Sequence, residues 1–220
     1  MQFPVFRQGE LVQLGRLREY RFKPIVAAEA LKTFNAFWLV DSSIHFNSNL
    51  SSIYNLVNNG SFESYMIGQA TGHSIYTATN KRMYDFLPID ELDSKSTMMY
   101  DATAFIHRTQ FSKEAIKWYA LCALTEDCLA PRGALVNCKF DTDRMRVHGE
   151  CHRYDQSAIN IILSSIREQR RMNWKAIDRS AFAALGTPNR SAVRREELPA
   201  ECRFFEVSHS NFHRPSQSSL

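Results

Sequence analysis

Ala36-Phe37-Trp38-Leu39-Val40, ending at Asp41-Ser42-Ser43, is the stretch on which the fold turns. A short unbroken apolar run is the mark of a strand covered on both faces, as in the parallel sheets of α/β domains. Asp41 is thereby predicted at the C-terminal edge of a buried strand, the edge at which open α/β sheets bind ligands. Upstream, Pro24 to Phe34 reads as an amphipathic helix with Ile25, Val26, Ala28, Leu31 and Phe34 inward, and with Pro24 near its start, where a missing N–H costs nothing. Downstream, Leu50 to Val57 reads as a short helix, and Tyr65-Met66-Ile67 and His73 to Thr77 as short strands. Arg82 to Leu87 reads as a helical turn before Pro88, and Ala104 to Arg108 as another strand. Lys113 to Leu124 follows as a helix with Ile116, Trp118, Tyr119, Cys122 and Ala123 inward. Trp38 and Trp118 are read as core residues. Strands alternating with helices favour an α/β sandwich. After about Arg179 the pattern fades, and Ser208 to Leu220 reads as a polar tail.

The second informative stretch is Cys151-His152-Arg153-Tyr154-Asp155-Gln156-Ser157-Ala158-Ile159-Asn160-Ile161-Ile162-Leu163. Ala158, Ile161, Ile162 and Ile166 recur at helical spacing, so Asp155 and Gln156 fall at a helix start, with the carboxylate near the positive end of the macrodipole. Asn160 lies one turn after Gln156 on the same face. An acid and an amide so placed resemble a catalytic loop. The competing reading has Asp155 capping the helix and Asn160 bonding a neighbouring loop.

Composition narrows the classes. The chain has 220 residues, 44% hydrophobic and 23% charged, which suits one soluble domain with a tail. No run approaches the roughly 20 apolar residues that span a bilayer. Met1 to Arg16 is interrupted by Arg7, Gln8, Gly9 and Glu10 and does not read as a signal peptide. The formal charge is +4, and the basic clusters Arg167 to Arg171 and Arg190 to Arg195 have glutamates within or beside them, so they read as solvated faces and not as a nucleic-acid surface. Cys122, Cys128, Cys138 and Cys151 flank turn-forming segments, which admits one or two disulfides in an oxidising compartment, or else buried free thiols. Their spacing does not suit zinc knuckles.

Four runs taken in order carry a resemblance. They are Tyr20-Arg21-Phe22-Lys23-Pro24-Ile25-Val26, then Phe37-Trp38-Leu39-Val40-Asp41-Ser42-Ser43-Ile44-His45-Phe46, then Trp118 to Leu124 with Cys128-Leu129-Ala130-Pro131, and finally Cys151 to Ala158. Over about residues 18 to 170 the chain resembles a nematode-expanded family of uncharacterised proteins similar to GT-A glycosyltransferases. The resemblance implies an α/β, GT-A-like sandwich with a mixed, mostly parallel central sheet over residues 1–185, followed by an extension over 186–220. It also implies truncation at the N-terminus, since only forty residues precede Asp41. Asp41 matches the first acidic residue of an Asp-x-Asp motif, which holds a divalent cation (Mn or Mg) against the donor diphosphate. Ser43 stands at the third position, where a hydroxyl is a poorer ligand. Lys23 is placed to reach a donor phosphate. Asp155 and Gln156 match an Asp-Gln pair near the acceptor, with His152 and Asn160 on the acceptor side and His152 as the alternative base. An ordinary Asp, with a pKa of about 3.9, is a weak base for a sugar hydroxyl, so that role demands burial or a neighbouring charge. Asp141-Thr142-Asp143 spells Asp-x-Asp literally but follows no apolar strand, and ranks below Asp41. The implied activity is transfer of a sugar from a nucleotide-sugar donor to a glycan or protein hydroxyl in the Golgi or another secretory lumen, behind a membrane anchor absent from this chain. The alternative is a non-catalytic carbohydrate-binding or interaction domain.

Overall fold

The computed structural model describes residues 19–41, 44–45, 65–140, 143–170 and 189–190. Helix α1 (Phe22–Thr33) buries Lys23, Pro24, Ala27, Ala28 and Leu31. After β1 (Ala36–Leu39), β2 (Ile44–His45), β3 (Tyr65–Ile67) and β4 (Ala70–Ser74), two 3₁₀ turns (Tyr76–Ala78 and Lys81–Asp85) lead into α2 (Glu91–Ser96). There follow β5 (Met98–Tyr100), β6 (Ala104–His107), α3 (Gln110–Leu124), α4 (Tyr154–Arg170) and β7 (Asn189–Arg190). Helix α3 starts three residues before the predicted Lys113 because a capping box sets it. Ser112 N–H donates to Thr109 Oγ1, and Thr109 N–H donates to Ser112 Oγ. Both α1 and α4 pack on α3. Ala27, Ala28 and Leu31 from α1, Ile116, Tyr119 and Ala123 from α3, and Ile159 and Ile162 from α4 share one buried cluster.

The mostly parallel central sheet is not found. Every strand pairing among the described residues is antiparallel: β1 and β3 flank β6, β4 pairs β5 through an irregular register, and β2 pairs β7. The physical reason lies in β1 and in the connections. Only Leu39 of β1 is buried, while Ala36, Phe37 and Trp38 are half-buried, so the apolar run is not covered on both faces. Parallel pairing needs crossovers of a dozen or more residues, usually helical. Between β4 and β5 the chain instead makes two 3₁₀ turns and a six-residue helix.

Other expectations shift for local reasons. The strand predicted over His73 to Thr77 ends at Ser74, because Thr77 N–H donates to Ser74 Oγ (3.3 Å) and Thr77 Oγ1 donates to Ser74 O (3.0 Å), which bends the chain into a 3₁₀ turn. Val26 and Phe34 face outward, and Trp118 is 45% exposed, not core. Trp118 lines an apolar groove with Phe86, Pro88 and Ile162. Leu50 to Val57, the 185/186 boundary and the C-terminal tail lie outside the described residues. Cys122 pairs with Cys128 and Cys138 with Cys151, which replaces the free-thiol reading with two disulfides, as an oxidising compartment permits. Among the described residues no helix is long and apolar enough to cross a membrane.

Candidate functional site

Lys23, in the first turn of α1, brings the predicted residues together. Its ammonium contacts Asp41 Oδ1, just past the end of β1, and stands 2.9 Å from Asp155 Oδ2, in the first turn of α4. Three segments far apart in sequence therefore meet at one nitrogen. The base of α1 is fixed by the buried Arg21. Its Nη1 donates to Ala123 O (2.6 Å) and Thr125 O (3.2 Å) at the end of α3, and its Nε donates to Glu19 Oε2 (2.7 Å).

The triad borders a polar cleft of about 390 Å³, within the range of small-molecule sites. Tyr20, Asp101, Arg153, Tyr154 and Gln156 line it as well. Its ionic lining counts two cations, Lys23 and Arg153, against three carboxylates, Asp41, Asp101 and Asp155. The cleft is mildly anionic. Tyr20 and Tyr154 stand 6.0 Å apart between ring centroids, and the Lys23 ammonium lies 5.0 Å over the Tyr20 ring. Both tyrosines adopt left-handed backbone, with φ of 58° and 43°. Bulky residues avoid that region at a cost of about 1–3 kcal/mol each, and such strain concentrates at ligand sites.

The charges perturb one another. Burial works to discharge Lys23, but the Asp155 and Asp41 carboxylates outweigh it and hold the ammonium above its ordinary value. Burial pushes Asp155 above the ordinary carboxylate range, with Lys23 opposing only in part. Its Oδ2 is enclosed and accepts no aligned hydrogen bond, so the contact with Lys23 is an ion pair. The burial that base chemistry demands of Asp155 is therefore present.

The remaining predicted residues fall elsewhere. Gln156 reaches the cleft but is partly committed: Nε2 donates to Tyr100 O (3.0 Å), and Oε1 accepts from Arg153 Nε (3.3 Å). Asn160 accepts from Tyr100 N–H (2.9 Å) and donates to Tyr100 O (2.8 Å), clamping the end of β5 to α4 beneath the cleft. His152 is fully buried. Asn80 N–H donates to its Nδ1 (3.1 Å), so Nε2 carries the proton and donates to Leu129 O (2.9 Å). Burial lowers its pKa to about 4, leaving a neutral ring with both nitrogens engaged. Asp143 caps an exposed turn through Met145 N–H and Arg146 N–H, while Ser43 and Asp141 lie outside the described residues.

Sequence reading missed Tyr20 and Tyr154 as cleft walls, although both lie in quoted motifs, since left-handed backbone at tyrosine has no pattern signal. It missed Asp101 because β5, which delivers it, was not predicted. Asp101 Oδ1 accepts from Thr103 N–H (2.9 Å) and fills the space beside Gly68 where a Cβ would sit.

A divalent cation needs several oxygen donors converging on a free point. Here the point shared by Asp41 and Asp155 is taken by an ammonium, and among the described residues no group of three or more His, Cys, Asp or Glu is placed to hold a metal. The donor set fits Lys23 and not a dication. Compared with known proteins, the chain matches no family model, no curated protein and no solved structure.

Proposed function

We propose that the cleft binds a sugar and that the protein transfers a sugar from a nucleotide-sugar donor to a hydroxyl of a glycan or protein acceptor. The observation that carries this reading is Asp155, a buried carboxylate at a helix start, raised above the usual range and bordering a cleft walled by two tyrosines. Amphipathic tyrosine rings suit the apolar faces of a sugar, and carboxylates and amides suit its hydroxyls. In the transfer, the acceptor oxygen bonds to the anomeric carbon as the bond from that carbon to the phosphate oxygen breaks. The electron pair leaves with the nucleoside diphosphate, and the acceptor proton passes to Asp155. Gln156 and Asn160 act beneath this step by fixing the strand end at Tyr100. The nearby disulfides support assignment to an oxidising compartment, and for this activity to the Golgi or another secretory lumen.

Asp155→Asn tests the reading. Sugar binding, followed by calorimetry, is expected to survive while turnover of the preferred nucleotide sugar falls about 10²–10⁴-fold, the usual contribution of a general base. Wild-type turnover in the variant would remove Asp155 from the chemistry. A second reading, a carbohydrate-binding domain without transfer, is favoured by the pairing of both carboxylates with Lys23. It requires glycan binding with no turnover of any nucleotide sugar.

A further inference from the structure

We infer that Lys23 is the resident cation of this cleft, standing where a divalent metal ion bound by Asp41 and Asp155 would have to stand. The geometry is specific to one nitrogen. Asp41 Oδ1 and Asp155 Oδ2, carried by segments 114 positions apart in sequence, both contact Nζ, and the Tyr20 ring covers it at 5.0 Å. The stem is buried in the first turn of α1, so the side chain does not swing freely from a surface. An incoming dication would have to displace this ammonium and leave it buried without its carboxylates, an expensive arrangement for a charge. In its place it would gain only two protein oxygens, with water or a ligand's phosphates left to complete its shell. The two carboxylates share one fixed ammonium, and the cleft carries Arg153 as a second cation against Asp101 as a third carboxylate. Any anion that meets the cleft is therefore met by Lys23 and Arg153, not by a metal. This inference concerns three side chains and does not depend on the transferase reading.

The test is titration of the whole chain with Mn²⁺, followed by the electron paramagnetic resonance signal of the free ion, with and without uridine diphosphate. The wild type is expected to show no saturable uptake in the cleft up to about 1 mM, the weak end of functional cation sites. Lys23→Met, which keeps the packing of the stem and frees both carboxylates, is expected to take up one Mn²⁺ and to melt a few degrees higher in its presence. Uptake by the wild type, alone or with the diphosphate, that either Asp41→Asn or Asp155→Asn abolishes would overturn the inference. Uptake that neither substitution alters lies outside the cleft and leaves Lys23 as its cation. The wild-type titration with these two controls decides the matter even if Lys23→Met fails to fold.

Discussion

Replacing Lys23 by methionine isolates the electrostatic work of the triad, because the stem's packing is largely kept while the ammonium is lost. Asp155, with a side chain 7% exposed, is then left in a buried site with no cation. It takes up a proton in preference to remaining charged, so the cost is bounded by the work of neutralising a carboxyl. For an unfolded pKa of about 3.9 that ceiling is about 4 kcal/mol at pH 7 and about 1.5 kcal/mol at pH 5. Asp41 is 37% exposed and solvent screening leaves it a minor share. The folded-state pKa of Asp155, raised by burial and held back by Lys23, rises further once Lys23 is gone. Its native form holds the proton more tightly than the unfolded chain, so its contribution is full below the unfolded value and is lost as pH rises through the folded one. The variant is therefore expected to lose most relative to wild type at pH 7 and to recover on acidification. In urea, with a slope of about 2 kcal/mol per molar, the midpoint falls by at most about 2 M at pH 7 and by less than about 1 M at pH 5. Comparing the two chains at each pH cancels the titration of groups common to both. Adding Asp155→Asn to the variant is expected to flatten the pH dependence. A loss below about 1 kcal/mol at pH 7, or an equal loss at both pH values, would refute the assignment of Asp155 as the buried partner.

Three further outcomes are expected. Gly68→Ala sets a Cβ against Asp101 Oδ1, so the carboxylate must leave Thr103 N–H; stability is expected to drop by about 1–3 kcal/mol, and any ligand of the cleft to bind more weakly, whereas unchanged melting would show that Asp101 is not held there. Removing the Cys138–Cys151 bridge as a double serine variant opens a 13-residue separation just ahead of α4 and is expected to cost about 3 kcal/mol by chain entropy, read as a lower urea midpoint; a variant as stable as wild type would deny the bridge that role. His152, held neutral by burial, stabilises the fold above its unfolded value of about 6.5 and loses that contribution as pH falls through about 4, so nitrogen-15 NMR at pH 5 should find the neutral ring with its proton on Nε2, and an imidazolium signal there would contradict the burial.

Much of the local structure was legible. The helix of α4 follows from the spacing of Ala158, Ile161, Ile162 and Ile166, all of them buried, and β1, β3 and β6 coincide with short apolar runs. Strand direction was not legible, since an apolar run of four or five residues looks alike in parallel and antiparallel sheets. The fate of Trp118 was not legible either, because a helix periodicity shows that two faces exist but not which neighbour covers each. Among the site residues, Asn160 bonds the backbone of Tyr100 at a strand end, where the competing reading had it bond a neighbouring loop, and His152 serves the backbone of Leu129 and Asn80.

By itself the sequence determined which residue types stood at which ends: a lysine just ahead of one helix, an aspartate after a strand, an acid and an amide opening another helix. Those are consequences of local periodicity and capping, which act over a few residues. Only the tertiary structure decided that Lys23, Asp41 and Asp155 share one nitrogen, that Tyr20 and Tyr154 wall the cleft beside it, and that burial lifts Asp155. Coulomb attraction and desolvation depend on distances across the packed core, and no spacing along the chain encodes them.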